Sequence, residues 1–300
     1  MSEELNRSLT SVAKSAGIIF AGMIIGNILG MINQIIIGRF LGPDLYGLFN
    51  LALSVVTIAS TLAVFGLFGS LSRFIPFHLN NGEKEKVKSV IDFSSIFVLL
   101  SGVLFAVALY IMAKYISVRV FKEPELEVPL KIFAVGIPIL GLQQVVRGII
   151  RGFKQAKYDA LILNVGDRIV KIIFFLLMLA FIFRLYGAIV SFIAGALITS
   201  AISIWLIIRK IFPEYHITDK MPISKEIIAF SWPLALTGFS FLFITKTDKI
   251  LLGYYLTKHE VGIYSPTLVI AGMLILVATS FKYIFPVSYT HLTLPTNREV

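Results

Sequence analysis

The 300 residues contain no cysteine, two tryptophans and four histidines, and charged residues make up only 15% of the chain. Without cysteine there is no disulfide framework, no thiolate metal site and no cysteine nucleophile, though the absence says nothing about compartment. The histidines, His78, His216, His259 and His291, are scattered and show no metal-ligand spacing. No P-loop, G-x-S-x-G or paired-carboxylate motif stands in a polar segment. Soluble domains carry about 25% charged residues, so soluble enzymes and disordered regulators are poor readings of this composition. What is present in excess is apolar residues: 57% of the chain, with a mean hydropathy of +0.88.

Apolar runs of about 20 residues read as membrane-crossing helices. Eight are predicted: Ser15–Ile37, Tyr46–Leu71, Val90–Ala113, Val128–Ile150, Asp159–Phe183, Tyr186–Ile208, Ile227–Ile250 and Val261–Phe285. The longest polar connections, Arg73–Lys88, Lys114–Glu127 and Arg209–Lys225, are too short for a catalytic domain. The class is therefore an all-α polytopic membrane protein. A net charge of +10 would suggest nucleic acid in a soluble chain; here the basic residues lie mostly between spans and favour a cytoplasmic N-terminus by 14 to 9. The expected location is the cytoplasmic (plasma) membrane, with no nucleic-acid partner. Glu3 and Glu4 precede the first long run and no small-residue cleavage site follows it, so a cleaved signal peptide is not expected.

The sequence matches itself at an offset of 215 residues. Ile37-Gly38-Arg39-Phe40-Leu41, followed by Gly47-Leu48-Phe49, answers to Leu252-Gly253-Tyr254-Tyr255-Leu256, followed by Gly262-Ile263-Tyr264. Ser70 to Pro76 answers, five residues out of register, to Ser280 to Pro286. Helices seven and eight thus repeat helices one and two in the same direction across the membrane, the arrangement of transporters built from two parallel bundles. The expected domains are a six-helix bundle over 1–212 and the start of a second bundle over 213–286. A complete second bundle needs about four more spans. Residues 287–300 lose all apolar pattern, resemble the translation of a sequencing adapter, and are expected to be non-native.

The run Gly38-Arg39-Phe40-Leu41-Gly42-Pro43-Asp44-Leu45-Tyr46-Gly47 carries a family resemblance. With it go Arg73-Phe74-Ile75-Pro76, Arg147-Gly148, Arg151-Gly152-Phe153, Pro233, Asp248, Gly253, Gly262 and Tyr264. Over residues 10 to 286 the chain resembles the Wzx-like polysaccharide-biosynthesis flippases of the multidrug/oligosaccharidyl-lipid/polysaccharide (MOP) superfamily. The resemblance implies a V-shaped pair of bundles with about twelve to fourteen helices in all. It also implies movement of an anionic polyprenyl-linked oligosaccharide by alternating access, amid membrane lipids and beside glycan polymerases or glycosyltransferases. No enzymatic activity and no cofactor are expected; a coupling ion, Na+ or H+, is left open.

An ionisable group at the centre of a span costs at least about 2.5 to 3.5 kcal/mol, which makes each one a functional candidate. In the fifth helix Asn164, Asp167, Arg168 and Lys171 fall at i, i+3, i+4 and i+7, one face of an α-helix. Asp167 can pair with Lys171, leaving Arg168 as a net positive charge suited to a diphosphate or acidic sugar. The alternative is a structural ion pair inside the bundle with Arg168 snorkelling. Gln143, Gln144, Arg147 and Arg151 share a face of the fourth helix, either to guide an anionic headgroup or to anchor at the interface. Asn33 and Gln34 in helix one match Asp248 and Lys249 in helix seven, with Lys246 one turn earlier; these either line a central cavity or sit at the outer interface. Gly22, Gly26 and Gly30 form two G-x-x-x-G spacings, a packing surface first and a hinge second. Pro138 and Pro233 are candidate helix bends.

Three rival functions remain. A cation-extruding exporter of the same superfamily requires uncompensated carboxylates in the first bundle. A glycan-assembly enzyme requires a large outer loop bearing acids or bases. A membrane scaffold gives no reason for Arg168 at mid-membrane.

Overall fold

The computed structural model describes residues 2–181, 184–213 and 224–272. The polar stretch with His216 and Lys220, most of the predicted eighth span, the Ser280–Pro286 repeat, His291 and the tail 287–300 lie outside the described residues, as do the side chains of Arg7 and Lys14.

Among the described residues every regular element is a helix. The helices are α1 (Ser2–Val64), α2 (Leu67–Asn80), α3 (Lys84–Tyr115), α4 (Glu127–Val135), α5 (Ile137–Gly152), α6 (Ala156–Tyr158), α7 (Asp167–Leu179), α8 (Arg184–Leu206) and α9 (Ser224–Tyr255), followed by α10 over 258–272. A π-helical stretch, Asp159–Gly166, joins α6 to α7, so predicted helix five runs without a break from Ala156 to Leu179. Four helical stretches among the described residues are long and apolar enough to cross a membrane: Ile19–Asn80, Lys84–Val120, Arg184–Ile211 and Lys225–Tyr255. A fifth is made by α4 and α5 together, bent by 45° where Gly136 meets Pro138 at the start of α5.

The first stretch reverses on itself. Gly42 takes φ 72° and ψ 172°, a conformation essentially confined to glycine, and Pro43 follows. In a straight helix Gln34 and Tyr46 would stand about 18 Å apart; instead the Tyr46 hydroxyl donates to Gln34 Oε1 at 2.8 Å. Predicted helices one and two are thus the two arms of α1. The second arm stops at Phe65 and Gly66, both left-handed (φ 49° and 73°), and resumes as α2. Gly66 is required for a second reason, since a Cβ there would overlap the Ser231 carbonyl of α9.

Helix extends further than the polar composition suggested. Arg73–Lys88, expected as a loop, is helix on both sides of a short turn at 81–83. Lys, Glu and Arg are good helix formers, and the turn is held by Glu83, which accepts from Lys86 Nζ at 2.7 Å and meets His78 Nδ1 at 2.7 Å. Pro233 lies inside the continuous helix α9.

Helix one packs along helix five through its glycines. A Cβ on Gly22 or Gly26 would meet the Cβ of Ala160 at 2.9 Å or of Asn164 at 3.0 Å, and one on Gly30 would meet Arg168 Nε at 3.3 Å. Three glycines spaced by four face three residues spaced by four, so the two helices lie parallel. Phe49 is fully buried against Phe133 and Phe192 in one apolar cluster, and Leu71, Ile75, Val90, Val146 and Ile150 form another. The outward faces of α3 and α9 remain apolar and exposed, with Leu100, Leu104, Ile111 and Ile244 all pointing away from the protein; in a bilayer this surface meets lipid.

Candidate functional site

The charged residues of helices four and five meet in one cluster. Arg151 Nε donates to Asp159 Oδ2 at 2.7 Å, and Arg147 Nε lies 3.7 Å from Asp159 Oδ1. Arg147 also reaches across to Asn164 Oδ1 at 3.2 Å and to the Leu163 carbonyl. One helical turn further on, Lys171 Nζ donates to Asp167 Oδ2 at 2.7 Å. Gln143 Nε2 bridges Asp167 Oδ1 and Thr199 Oγ1 at 3.1 Å each, bringing α8 into the network. Lys171 is also held over the Phe192 ring at 3.8 Å, and its methylenes fill the space left by Gly195.

The stripe does not present one common face. Residues 159–166 are π-helical, with more residues per turn than the α-helix the spacing assumed. Asn164 and Arg168 turn to the glycine ridge of helix one, while Asp167 and Lys171 turn inward to α5 and α8. Four cations (Arg147, Arg151, Arg168, Lys171) therefore surround two carboxylates (Asp159, Asp167). The side chains of Asp159, Asp167 and Lys171 are 4–5% exposed, whereas Arg147 and Arg151 are 29% and 45% exposed. Arg168 is also partly exposed, stands close enough to Arg147 and Lys171 to repel both, and has no carboxylate partner among the described residues. What the cluster offers to its surroundings is guanidinium, and its carboxylates are turned inward.

The matched residues of helices one and seven form a second, separate group. Lys249 Nζ donates to Asn50 Oδ1 at 2.8 Å, Tyr264 donates to Asp248 Oδ2 at 3.4 Å, and Gln34 is held by Tyr46. Asn33 is buried, with an Oδ1 that accepts nothing among the described residues. Lys246 is half-buried nearby on α9. A cavity of about 220 Å³ lies beside this group, lined by Gln34, Arg39, Tyr46 and Pro266. Gln144 is separate from the cluster and lines another cavity of about 210 Å³ with Thr61, Gly66 and Gly238. Neither cavity is lined by Asp167, Arg168 or Lys171; Asp167 and Lys171 are enclosed by packed helices, while Arg168 is partly exposed.

Asp159, Thr199 and Asn50 were missed as site residues. An acid opposite two arginines spaced by four, and an amide inside the apolar run Asn50-Leu51-Ala52-Leu53, are the signals that could have found two of them. Thr199 has no such signal.

Doubled-back apolar helices define the class, an all-α, multi-pass membrane protein, and its fold is that of solved MOP-superfamily transporters. An inward-facing multidrug-resistance transporter of the MATE family superposes with a TM-score of 0.60 at 19% identity, covering 80% of this chain and 56% of that one. A MOP-superfamily transporter from Pyrococcus furiosus, described as having a binding pocket of reversed polarity, superposes with a TM-score of 0.56 at 18% identity over 95% of this chain and 75% of that one. Residues 12–289 match the polysaccharide biosynthesis protein family, and the chain belongs to it. Stage V sporulation protein B of Bacillus subtilis is 24% identical over 159 residues, 53% of this chain; the match spans 30% of that protein's length.

Proposed function

We propose that the protein takes part in flipping a polyprenyl-linked oligosaccharide across the cytoplasmic membrane, for surface polysaccharide or glycan assembly, by alternating access. Family membership supports the glycan-carrier substrate class, and the observation that carries the reading is the polarity of the cluster. Guanidinium forks are accessible and carboxylates are buried, an arrangement that receives diphosphate or acidic sugar oxygens through paired hydrogen bonds and repels cations. A cation exporter needs the opposite polarity. Arg168, left without a carboxylate, is the first contact for the anionic group; Arg147 and Arg151 follow toward the end of the bundle that the basic residues mark as cytoplasmic. Lys246, Lys249, Asn33 and Gln34 form a second polar station between α9 and α1.

Replacing Arg168 with Ala tests this in cells that depend on the exported glycan. Export is expected to fall at least tenfold at unchanged membrane abundance, with Arg168→Lys intermediate because an ammonium replaces a planar fork by a point charge. Export at the parent level in Arg168→Ala removes the residue from the site.

A further inference from the structure

The repeat offset reappears as a reciprocal contact. Residues 43, 44 and 47 stand 215 positions before 258, 259 and 262. Gly47 packs against the Lys258 carbonyl so closely that a Cβ would overlap it, and Gly262 packs against the Pro43 carbonyl in the same way. Each segment thus gives a glycine and a carbonyl to the other, as two copies related by a two-fold axis do. The pair that meets itself across that axis is Asp44 and His259, with Asp44 Oδ1 2.7 Å from His259 Nδ1.

This contact is rich in acids. Lys258 meets Glu125 at 2.6 Å and Glu123 at 3.7 Å, and its backbone N–H donates to Glu123. On the same turn Glu260 accepts from the Thr257 hydroxyl. Around the junction stand Asp44, Glu123, Glu125 and Glu260, with Lys258 and His259 in direct contact with them and Arg39 and Lys122 on the same segments. The hydrogen bond to Glu125 holds the Lys258 ammonium above its ordinary pKa, and the Thr257 hydrogen bond, aided by the nearby His259, holds Glu260 below its own. Neither of those two changes charge where imidazoles titrate. A proton on the His259 ring would add a cation facing these carboxylates.

We propose that Asp44 and His259 form a proton-sensitive latch holding the 38–49 segment to the 253–264 segment, so that closure of this end of the molecule is favoured when His259 is charged and relaxes when it is neutral. The sign follows from the charges: the added attraction is present at low pH and is lost as pH rises through the titration of the imidazole. Both side chains are about half exposed, 49% and 58%, so the effect is a bias, about fivefold at most in the closed-to-open ratio.

The test uses spin labels at Phe40→Cys and Tyr255→Cys, exposed positions at the same 215-residue offset in a chain with no other cysteine. Distances are read in lipid vesicles without substrate, at about pH 5 and about pH 8, on either side of histidine titration. The expected result is a short-distance population about two- to fivefold larger at the lower pH, with the difference abolished by His259→Gln and by Asp44→Asn. A distribution that does not change with pH overturns the latch, and so does a pH response that survives in either variant. No substrate enters the measurement, so its outcome is independent of the glycan reading.

Discussion

Asp167 and Lys171 show what a buried charge pair demands. Both side chains are 4% exposed, and the remaining carboxylate oxygen is satisfied by Gln143. Removing one partner leaves the other unpaired in a low-dielectric interior, which costs about 3–5 kcal/mol. Lys171→Met is therefore expected to lower the thermal unfolding midpoint in detergent strongly. Lys171→Met combined with Asp167→Leu is expected to recover much of that loss, and a double variant as unstable as the single one overturns the pairing. This pair was legible from its spacing, because i and i+4 residues meet in any helix. Two neighbouring features were not. The turning of Asn164 and Arg168 to helix one goes with the π-helical stretch that contains Asn164 and precedes Arg168, which no pattern of residue types announced. The Lys249 to Asn50 bond joins positions 199 apart, and only the packed fold brings them together.

Among the elements, the parallel pairing of helices one and five rests on small residues. Gly26 faces Asn164 at 3.0 Å, whereas Gly17, on the same helix, faces nothing within 4 Å. Overpacking a fitted contact costs about 1–3 kcal/mol, so Gly26→Leu is expected to lower the unfolding midpoint clearly, while Gly17→Leu is expected to leave it nearly unchanged. Equal midpoints for the two variants would show that the ridge is not a fitted contact. The apolar runs, the glycine spacing and the bend near Pro138 were readable, because hydropathy and missing side chains act locally. The extent of helix around 73–88 was misjudged because charged residues at a membrane boundary were taken as loop, although they are compatible with helix. The break at Phe65 and Gly66 carried only a lone glycine as warning.

For the molecule as a whole, the course of the chain puts Asp44, Glu123 and His259 at one end and Asn81, Glu83 and Asp159 at the other. Single cysteines at Asp44 and Asn81 are expected to react with a membrane-impermeant thiol reagent from opposite faces of the membrane; labelling of both from one face overturns this course. The two ends are fixed by how the chain turns around, and the first turn is unlike the rest. α1 spans 63 residues, and as an unbroken rod it would measure about 95 Å, roughly three times the hydrocarbon thickness of a bilayer. There is space beside Gly42 for a methyl group, so what an alanine there would violate is the backbone angle and not the packing. The sidedness of everything downstream, from the cationic cluster to the acid-rich junction, therefore hangs on one dihedral. Each arm on either side of Gly42 is long enough for one crossing, so the reversal at that residue is what turns one long apolar segment into an antiparallel pair of spans.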